Sequence, residues 1–309
     1  MSDFHTPVLL KETIEGLNIK ENGIYLDLTL GRAGHSSHIL SKLNTSGLLI
    51  GVDQDDEAIA YSESRLKKIS TNFKLVRDNF VNIDKILDDL GIDKVDGILM
   101  DLGVSSPQFD DVSRGFSYRY DSELDMRMDR RNELTAKRII NEYPLHELVR
   151  IFNEYGEEKY SYSIAKNIVK ERENHPINTT FELVEIIKRS KPAKELKKVG
   201  HPAKQIFQAL RIEVNDEINI LRKTLNKALE RLNPHGRLCV ITFHSGEDKI
   251  VKHLFKELTI TEGNRYDLPL NEKEKEYRLI SKKGIKPSEE EIERNHRSVS
   301  STLRIIEKI

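Results

Sequence analysis

The segment YLDLTLGRAGHSSH at residues 25–38 has the pattern of a strand, a glycine turn and the start of a helix. The apolar run 24–30 predicts the strand, and GRAG at 31–34 predicts the turn. Such a turn lets backbone N–H groups at the start of a helix approach a ligand closely. This segment lacks the three-glycine fingerprint of dinucleotide-binding proteins, G-x-G-x-x-G. A cofactor other than NAD therefore has to be considered.

The composition is typical of a soluble globular protein. Of 309 residues, 37% are hydrophobic and 33% charged, with a mean hydropathy of -0.55. No apolar run approaches the roughly 20 residues that span a bilayer, and the N-terminus has no secretory pattern. The single cysteine, Cys239, cannot form an internal disulfide, so we expect a cytoplasmic protein. With a net charge of -1, a polyanion would need a local basic surface.

Strand and helix signals alternate over the first hundred residues and return near the end. The predicted strands are 24–30, 48–53, 73–76, 95–102 and 236–243, and an antiparallel pair is predicted at 277–281 and 302–307. The predicted helices beside them are 36–43, 56–69, 83–90 and 245–258. This order predicts an α/β fold with a mostly parallel, doubly wound sheet, closer to a class I methyltransferase than to a dehydrogenase.

The strand signal stops between residues 111 and 201. Polar helical segments replace it at 134–143, 145–155, 160–173 and 180–190, and one long helix is predicted at 203–232. We therefore predict a discontinuous catalytic domain, residues 1–112 and 202–309, with an inserted all-α domain at 113–201. Five lysines and one glutamate within 191–204 form a basic stretch that is either a solvated face or a surface that neutralises phosphates.

Two residues at the carboxyl ends of predicted strands are candidates for cofactor contacts. Asp53 ends the second strand, 22 residues after Gly31, where a carboxylate can accept both ribose hydroxyls of an adenosine-containing cofactor. A solvent-facing aspartate is the alternative. Phe80 follows the third strand, where its ring can lie against an adenine, although a core position explains it equally well.

The loop DLGVSSPQ at 101–108 follows the fourth strand, at the edge where open α/β sheets bind ligands. Asp101 and Gln108 can bind the amino-acid end of a cofactor or an exocyclic amine. A capped turn is the alternative reading of loop residues such as Ser105. His244 follows the fifth strand and is either a substrate contact or the cap of the next helix. No set of residues predicts a metal site.

Eight ordered motifs extend this pattern along nearly the whole chain. They are HTPVLL (5–10), DLTLGRAGHS (27–36), DLGVSSPQFD (101–110), RGFSYR (114–119), LDMRMD (124–129), HPAKQIFQALRIEVNDE (201–217), FHSGEDKIVK (243–252) and NHRSVSSTLR (295–304). In these motifs the chain resembles the ribosomal RNA small subunit methyltransferase H family, also called the MraW family.

The resemblance implies S-adenosylmethionine-dependent methylation of the N4 amine of cytidine 1402 in 16S rRNA of the small ribosomal subunit. The cofactor contacts that it implies are Ala33, Gly34, His35, Asp53, Phe80, Asp101 and Gln108. The insert would recognise the RNA substrate. The implied partners are 16S rRNA and the small subunit, with no DNA and no membrane, and a homodimer is left open.

Several positions depart from the family's usual residues. Ala33 stands where many members have glycine, and a small residue is tolerated there if its φ is negative. Gly246 and Lys249 replace a commoner leucine and arginine. His296, Ser298 and Val299 depart from the usual Asn-Pro-Arg-Ala-Arg pattern, which weakens any prediction of RNA contacts there.

Orientation of a weakly nucleophilic amine needs hydrogen-bond acceptors. The predicted acceptors, and hence the catalytic candidates, are Asp101, Ser105, Ser106 and His244. Two other classes of protein stay open on the residues alone. An NAD-dependent oxidoreductase would share Asp53 but should have the three-glycine turn. A non-catalytic RNA-binding or assembly factor would use the basic insert and tolerate loss of the cofactor loop.

Overall fold

The computed structural model describes residues 7–259 and 275–309. The chain divides into a first unit, Met1–Gly103 with Asn219–Ile309, and a second unit, Val104–Ile218. The predicted insert, 113–201, falls within the second unit, which also includes residues 104–112 and 202–218. Within the described ranges, every helix is too short or too polar to cross a membrane.

A seven-stranded sheet forms the centre of the first unit. Its strands are β1 (Ile24–Asp27), β2 (Leu48–Asp53), β3 (Phe73–Arg77), β4 (Val95–Asp101), β5 (Leu232–Thr242), β6 (Tyr277–Leu279) and β7 (Thr302–Lys308). The strand order is β3-β2-β1-β4-β5-β7-β6. β1 to β5 are parallel, whereas β7 runs antiparallel to both β5 and β6. The predicted class I methyltransferase fold is confirmed, including the closing antiparallel pair.

Helices connect these strands and build the second unit. In chain order they are α1 (Leu10–Leu17), α2 (Gly34–Leu40), α3 (Asp56–Leu66), α4 (Ile83–Asp89), α5 (Ser106–Asp110), α6 (Ala136–Glu142), α7 (Leu145–Glu154), α8 (Ser161–Arg172), α9 (Thr180–Arg189), α10 (Ala193–Leu196), α11 (Lys204–Val214), α12 (Glu217–Glu230), α13 (Ser245–Thr259) and α14 (Glu289–Arg294). Four of these helices, α1, α5, α10 and α14, have no counterpart among the predicted elements.

Both faces of the sheet are buried, because successive residues of its strands enter different apolar clusters. Leu26 and Ile98 pack in one cluster with residues of α4, α12 and α13. Their neighbours Tyr25 and Leu99 pack in the other, with residues of α1, α2 and α3. The continuous apolar runs of the central strands therefore reflect helices on both sides of the sheet.

The single long helix predicted at 203–232 is wrong, because the chain breaks it between α11 and α12. Asp216 adopts a left-handed conformation with φ of 49°, which an α-helix does not accommodate. The side chain of the preceding Asn215 accepts the N–H of Met128 at 2.8 Å and donates to the carbonyl of Met126 at 2.9 Å. Hydrogen bonds to a distant loop thus stabilise the break.

A buried ion pair lies inside the second unit. The Lys191 ammonium donates to Glu158 at 2.6 Å and to the carbonyl of Pro202 at 2.7 Å. The side chains of Lys191 and Glu158 are 7% and 2% exposed. Lys191 therefore neutralises a carboxylate of its own unit, so neither alternative for the basic stretch, a solvated face or a phosphate-binding surface, applies to its first residue.

Candidate active site

The glycine turn joins β1 to α2, where its sequence predicts it. Gly31 and Ala33 both have left-handed backbones, with φ of 50° and 55°. The condition under which a small residue was expected to be tolerated at position 33, a negative φ, is therefore not met. The N–H of Ala33 donates to the carbonyl of Leu30 at 2.8 Å, which closes the turn between strand and helix. Its methyl group is fully buried, so burial there offsets the cost of a left-handed L-residue.

Substitutions of Ala33 should separate these two effects. We expect Ala33→Gly to change the free energy of unfolding by less than about 1 kcal/mol, because relief of the left-handed backbone opposes loss of a buried methyl group. Ala33→Val should lower it by at least about 2 kcal/mol, since a β-branched residue suits neither the backbone nor the packing. Urea unfolding measures both values. Equal stability of the two variants would contradict the left-handed conformation.

Asp53, at the end of β2, is tied to this turn. Its Oδ2 accepts the N–H of Gly31 at 2.8 Å, and its Oδ1 accepts the N–H of Asp55 at 2.9 Å. Burial raises the pKa of Asp53 to about 6, although both hydrogen bonds act in the opposite direction. Each carboxylate oxygen keeps a second lone pair, so either one can still accept a ribose hydroxyl.

Asp27, to which the sequence analysis gave no role, connects three elements at the same edge. Its Oδ2 accepts the Ser36 hydroxyl of α2 at 2.6 Å, and its Oδ1 accepts the N–H of Thr29 at 3.1 Å. The Thr29 hydroxyl oxygen in turn accepts the N–H of Asp101 at 2.6 Å. Burial raises the pKa of Asp27. A carboxylate within an apolar strand was the sequence signal that could have identified it.

His35 and Asp101 are brought together by these elements. His35 Nε2 lies 3.0 Å from the carbonyl oxygen of Val8, which can only accept, so Nε2 carries a proton. Nδ1 then faces Asp101 Oδ2 at 3.6 Å. Burial lowers the pKa of His35 to about 4, which makes the ring neutral near pH 7. In this neutral form Nδ1 is an acceptor, so His35 lies beside Asp101 Oδ2 without donating to it and without supplying a positive charge.

Asp101 is the least satisfied carboxylate of the described site. Its Oδ1 is buried and has no hydrogen-bond partner in the described part of the chain. Burial raises the pKa of Asp101 well above its usual range, and the carboxylates of Asp27 and Glu247 add to that effect. An amine or a cation placed at Asp101 Oδ1 would supply the missing donor or charge.

His244 lies between β5 and α13 and belongs to the start of that helix. Its Nδ1 accepts the N–H of Glu247 at 3.4 Å, while Glu247 accepts the N–H of Phe243 at 2.8 Å. This reciprocal arrangement corresponds to the helix cap that the sequence left as an alternative. His244 Nε2 is 3.1 Å from Glu247 Oε1 without hydrogen-bond geometry. The ring is almost buried, and a substrate contact would involve this nitrogen.

Phe80 follows β3 and is half-buried against the apolar cluster that contains α4. A polar pair that sequence reasoning missed lies beside it. The amide of Asn79 donates to Gln54 Oε1 at 3.1 Å, which links the residues that follow β3 and β2. Their amides have donors and acceptors of the kind that an adenine edge requires. No sequence pattern distinguished them from ordinary loop residues.

Ser105 and Gln108 belong to the second unit and bond to each other. The N–H of Ser105 donates to Gln108 Oε1 at 3.3 Å, and the N–H of Gln108 donates to Ser105 Oγ at 3.5 Å. This is a capping box at the start of α5, which corresponds to the capped-turn alternative. The side chain of Ser106, another predicted acceptor, lies outside the described residues.

The first unit's site fits the cofactor expected from the resemblance. S-adenosylmethionine carries a sulfonium and an α-ammonium group, and a cation lowers the free energy of ionised carboxylates in a buried position. Asp101 offers an unpartnered oxygen there, and Asp53 offers lone pairs to a ribose. The site can therefore hold a positively charged nucleoside and an amine beside it.

Comparison with known proteins supports the same chemistry. A family model described as the MraW methylase family matches residues 2–309. The ribosomal RNA small subunit methyltransferase H of Mesoplasma florum is 57% identical over 308 residues, which cover 98% of this chain and 99% of that protein. The proteins of the same name from Lachnospira eligens and Clostridium botulinum (strain Loch Maree) are 52% and 54% identical, each over 99% of this chain and over 98% and 99% of their own lengths.

Proposed function

The chain belongs to the MraW methylase family, and from that premise we propose that it methylates the N4 amine of cytidine 1402 in the 16S rRNA. It is a methyltransferase, and its methyl donor is S-adenosylmethionine. The observation that supports the amine as target is the Asp101 carboxylate at the carboxyl edge of β4, which is 26% exposed and whose Oδ1 is buried without a partner among the described residues. Ala33, Gly34, His35, Phe80 and Gln108 complete the proposed cofactor contacts.

The cofactor supplies an electrophilic methyl group on its sulfonium. Asp53 would accept the ribose hydroxyls, while the backbone of the turn at 31–34 places N–H groups beside the nucleoside. The expected result of these contacts is a fixed position for the methyl carbon. Holding two reactants in line can contribute several kcal/mol to the reduction of the barrier.

Cytosine N4 is a poor nucleophile because its lone pair is delocalised into the ring. Asp101 Oδ1 would accept one amine N–H and direct the lone pair at the methyl carbon. As the new N–C bond forms and the C–S bond breaks, positive charge develops on N4, and a nearby carboxylate stabilises it. The raised pKa of Asp101 makes it a stronger proton acceptor than an ordinary aspartate, so it can take the departing proton. Ser105 and His244 are proposed as further acceptors for the amine or the base.

The pH dependence of cofactor binding tests the role of Asp53. With its pKa at about 6, Asp53 is mostly protonated at pH 5 and ionised at pH 7. We expect the affinity for S-adenosylmethionine to rise by up to about tenfold across that interval, because an ionised acceptor makes stronger hydrogen bonds. In calorimetric titrations Asp53→Asn should lose this rise, whereas Asp93→Asn, at an exposed aspartate outside the site, should retain it. A rise that persists in Asp53→Asn would show that another group titrates.

Transfer of a labelled methyl group to small-subunit particles tests the proposed reaction. Particles that lack the modification should accept label, and nucleotide mapping should place it on N4 of cytidine 1402. Naked 16S rRNA, assayed in parallel, shows which form is the substrate. Label at another nucleotide would contradict the proposed target and leave the methyltransferase activity intact. Absence of transfer to either substrate would contradict an RNA target altogether.

A further inference from the structure

Two exposed aromatic side chains belong to segments of the second unit that are distant in sequence but hydrogen-bonded to each other. Tyr120 is 54% exposed and Phe181, in the first turn of α9, is 44% exposed. The Thr180 hydroxyl donates to the Tyr120 carbonyl at 2.7 Å, and the N–H of Phe181 donates to the Asp121 carboxylate at 3.2 Å. These bonds hold the segments that carry the two aromatic residues next to each other.

The segment that carries Tyr120 is anchored from within the unit. Two residues earlier, the Tyr118 ring stacks on His201 with centroids 4.2 Å apart and planes 11° from parallel. The edge of the Phe207 ring contacts Tyr118 at a centroid distance of 5.6 Å. Because Tyr118 is fixed by these contacts, Arg119 and Tyr120 stay exposed at a defined position.

Positive charge lies close to His201, which stacks on Tyr118. Burial lowers the pKa of His201, and the cations of Lys188, Arg119 and Lys191 lower it further. Lys191 is neutralised by Glu158, and Lys188 pairs with Glu185 in an exposed contact that is worth little. The exposed Arg119 guanidinium has no carboxylate within 4.0 Å in the ranges 7–259 and 275–309. Arg119 is thus available to an anionic ligand.

We propose that Tyr120, Phe181 and Arg119 form a binding surface for a single-stranded RNA segment. Nucleobases stack on the two rings, and Arg119 with Lys188 contacts the phosphates. Aromatic faces accept any base, and a nearby guanidinium supplies the charge that a polyanion requires. The proposal rests on the proposed function, because the RNA would be the strand that flanks the target cytidine. Since any base can stack on either ring, this surface adds affinity and positions the strand without sequence specificity.

Alanine substitutions test this surface against a matched control. Tyr120→Ala and Phe181→Ala should each raise KM for small-subunit particles by about 5- to 100-fold, the range of one lost base stack. kcat and the affinity for S-adenosylmethionine should stay within twofold of wild type. Tyr120→Phe should retain the wild-type KM, because stacking needs the ring and not the hydroxyl. Tyr162→Ala, which removes a 60% exposed tyrosine from α8, is the control and should leave KM unchanged.

Direct binding separates the ligand classes. Binding of a fluorescent single-stranded RNA should weaken with salt concentration. In a plot of the logarithm of the binding constant against the logarithm of the salt concentration, the slope of Arg119→Gln should be smaller than that of the wild type by about one. If Tyr120→Ala and Phe181→Ala bind and methylate as wild type does, the surface has no part in RNA binding. If these variants bind RNA normally and their KM rises only with intact particles, the surface contacts ribosomal protein and the proposal is overturned. Failure of the wild type to methylate would instead overturn the proposed function.

Discussion

Replacement of Asp101 by alanine is expected to lower kcat for methyl transfer by about 100- to 1,000-fold, the usual effect of removing one group that stabilises transition-state charge. Asp101 combines three properties that favour this role. It ends β4, its buried Oδ1 has no partner among the described residues, and burial together with neighbouring carboxylates raises its pKa. Loss of the carboxylate removes both the acceptor for the amine and the counter-charge. Single-turnover assays with labelled cofactor measure the effect apart from product release.

Two further variants define what the loss at Asp101 means. Asp101→Asn keeps the shape and one acceptor oxygen but removes the charge, so it should show most of the loss if charge stabilisation dominates. Asp93→Ala removes an 87% exposed aspartate that lies just before β4 and should leave kcat unchanged. Full turnover and full cofactor affinity in Asp101→Ala would eliminate Asp101 from the site.

Replacement of Lys191 by methionine is expected to lower the free energy of unfolding by about 3–5 kcal/mol, since it leaves the Glu158 carboxylate buried without its cation. The pair is almost inaccessible to water, so solvent cannot replace the lost charge. Among the described residues, Glu158 would then keep only the N–H of Tyr160 as a donor, at 2.9 Å. Urea unfolding followed by circular dichroism measures the loss.

The double variant Lys191→Met with Glu158→Gln should recover a large part of that stability, because neither partner then buries a charge. Lys194→Met is the matched control: this lysine belongs to the same basic stretch but is exposed. It should change stability by less than about 0.5 kcal/mol. Equal effects at Lys191 and Lys194 would mean that Lys191 is solvated like its neighbour.

Local patterns predicted the architecture of the first unit closely. The run at 48–53 became β2 with the same ends, and the alternation of apolar runs with amphipathic helices predicted the parallel strands. These features are local, because a strand buried on both faces must be continuously apolar. The four helices that were missed, α1, α5, α10 and α14, are eight residues long or shorter, and a short apolar periodicity is a weak signal.

The candidate site was predictable only in part. Asp53 and Asp101 could be placed at strand ends because parallel strands present their carboxyl ends at one edge. The contact of His35 with Asp101 and the network around Asp27 join residues from three separate segments. No spacing in the sequence reports such contacts. The protonation states of these residues depend on their burial, which shifts the pKa of each one.

The amino-acid sequence by itself determined the order of strands and helices, the glycine turn and the family, since each depends on local pattern or on whole-length similarity. Only the tertiary structure decided the left-handed φ of Ala33, the break at Asp216 and the burial of Lys191. In each of these three cases a contact with a distant residue or a buried environment outweighs the local preference. Local conformational propensities amount to about 1 kcal/mol per residue, which tertiary packing can outweigh. It does so at the turn of Ala33, at the helix break of Asp216 and at the buried charge of Lys191.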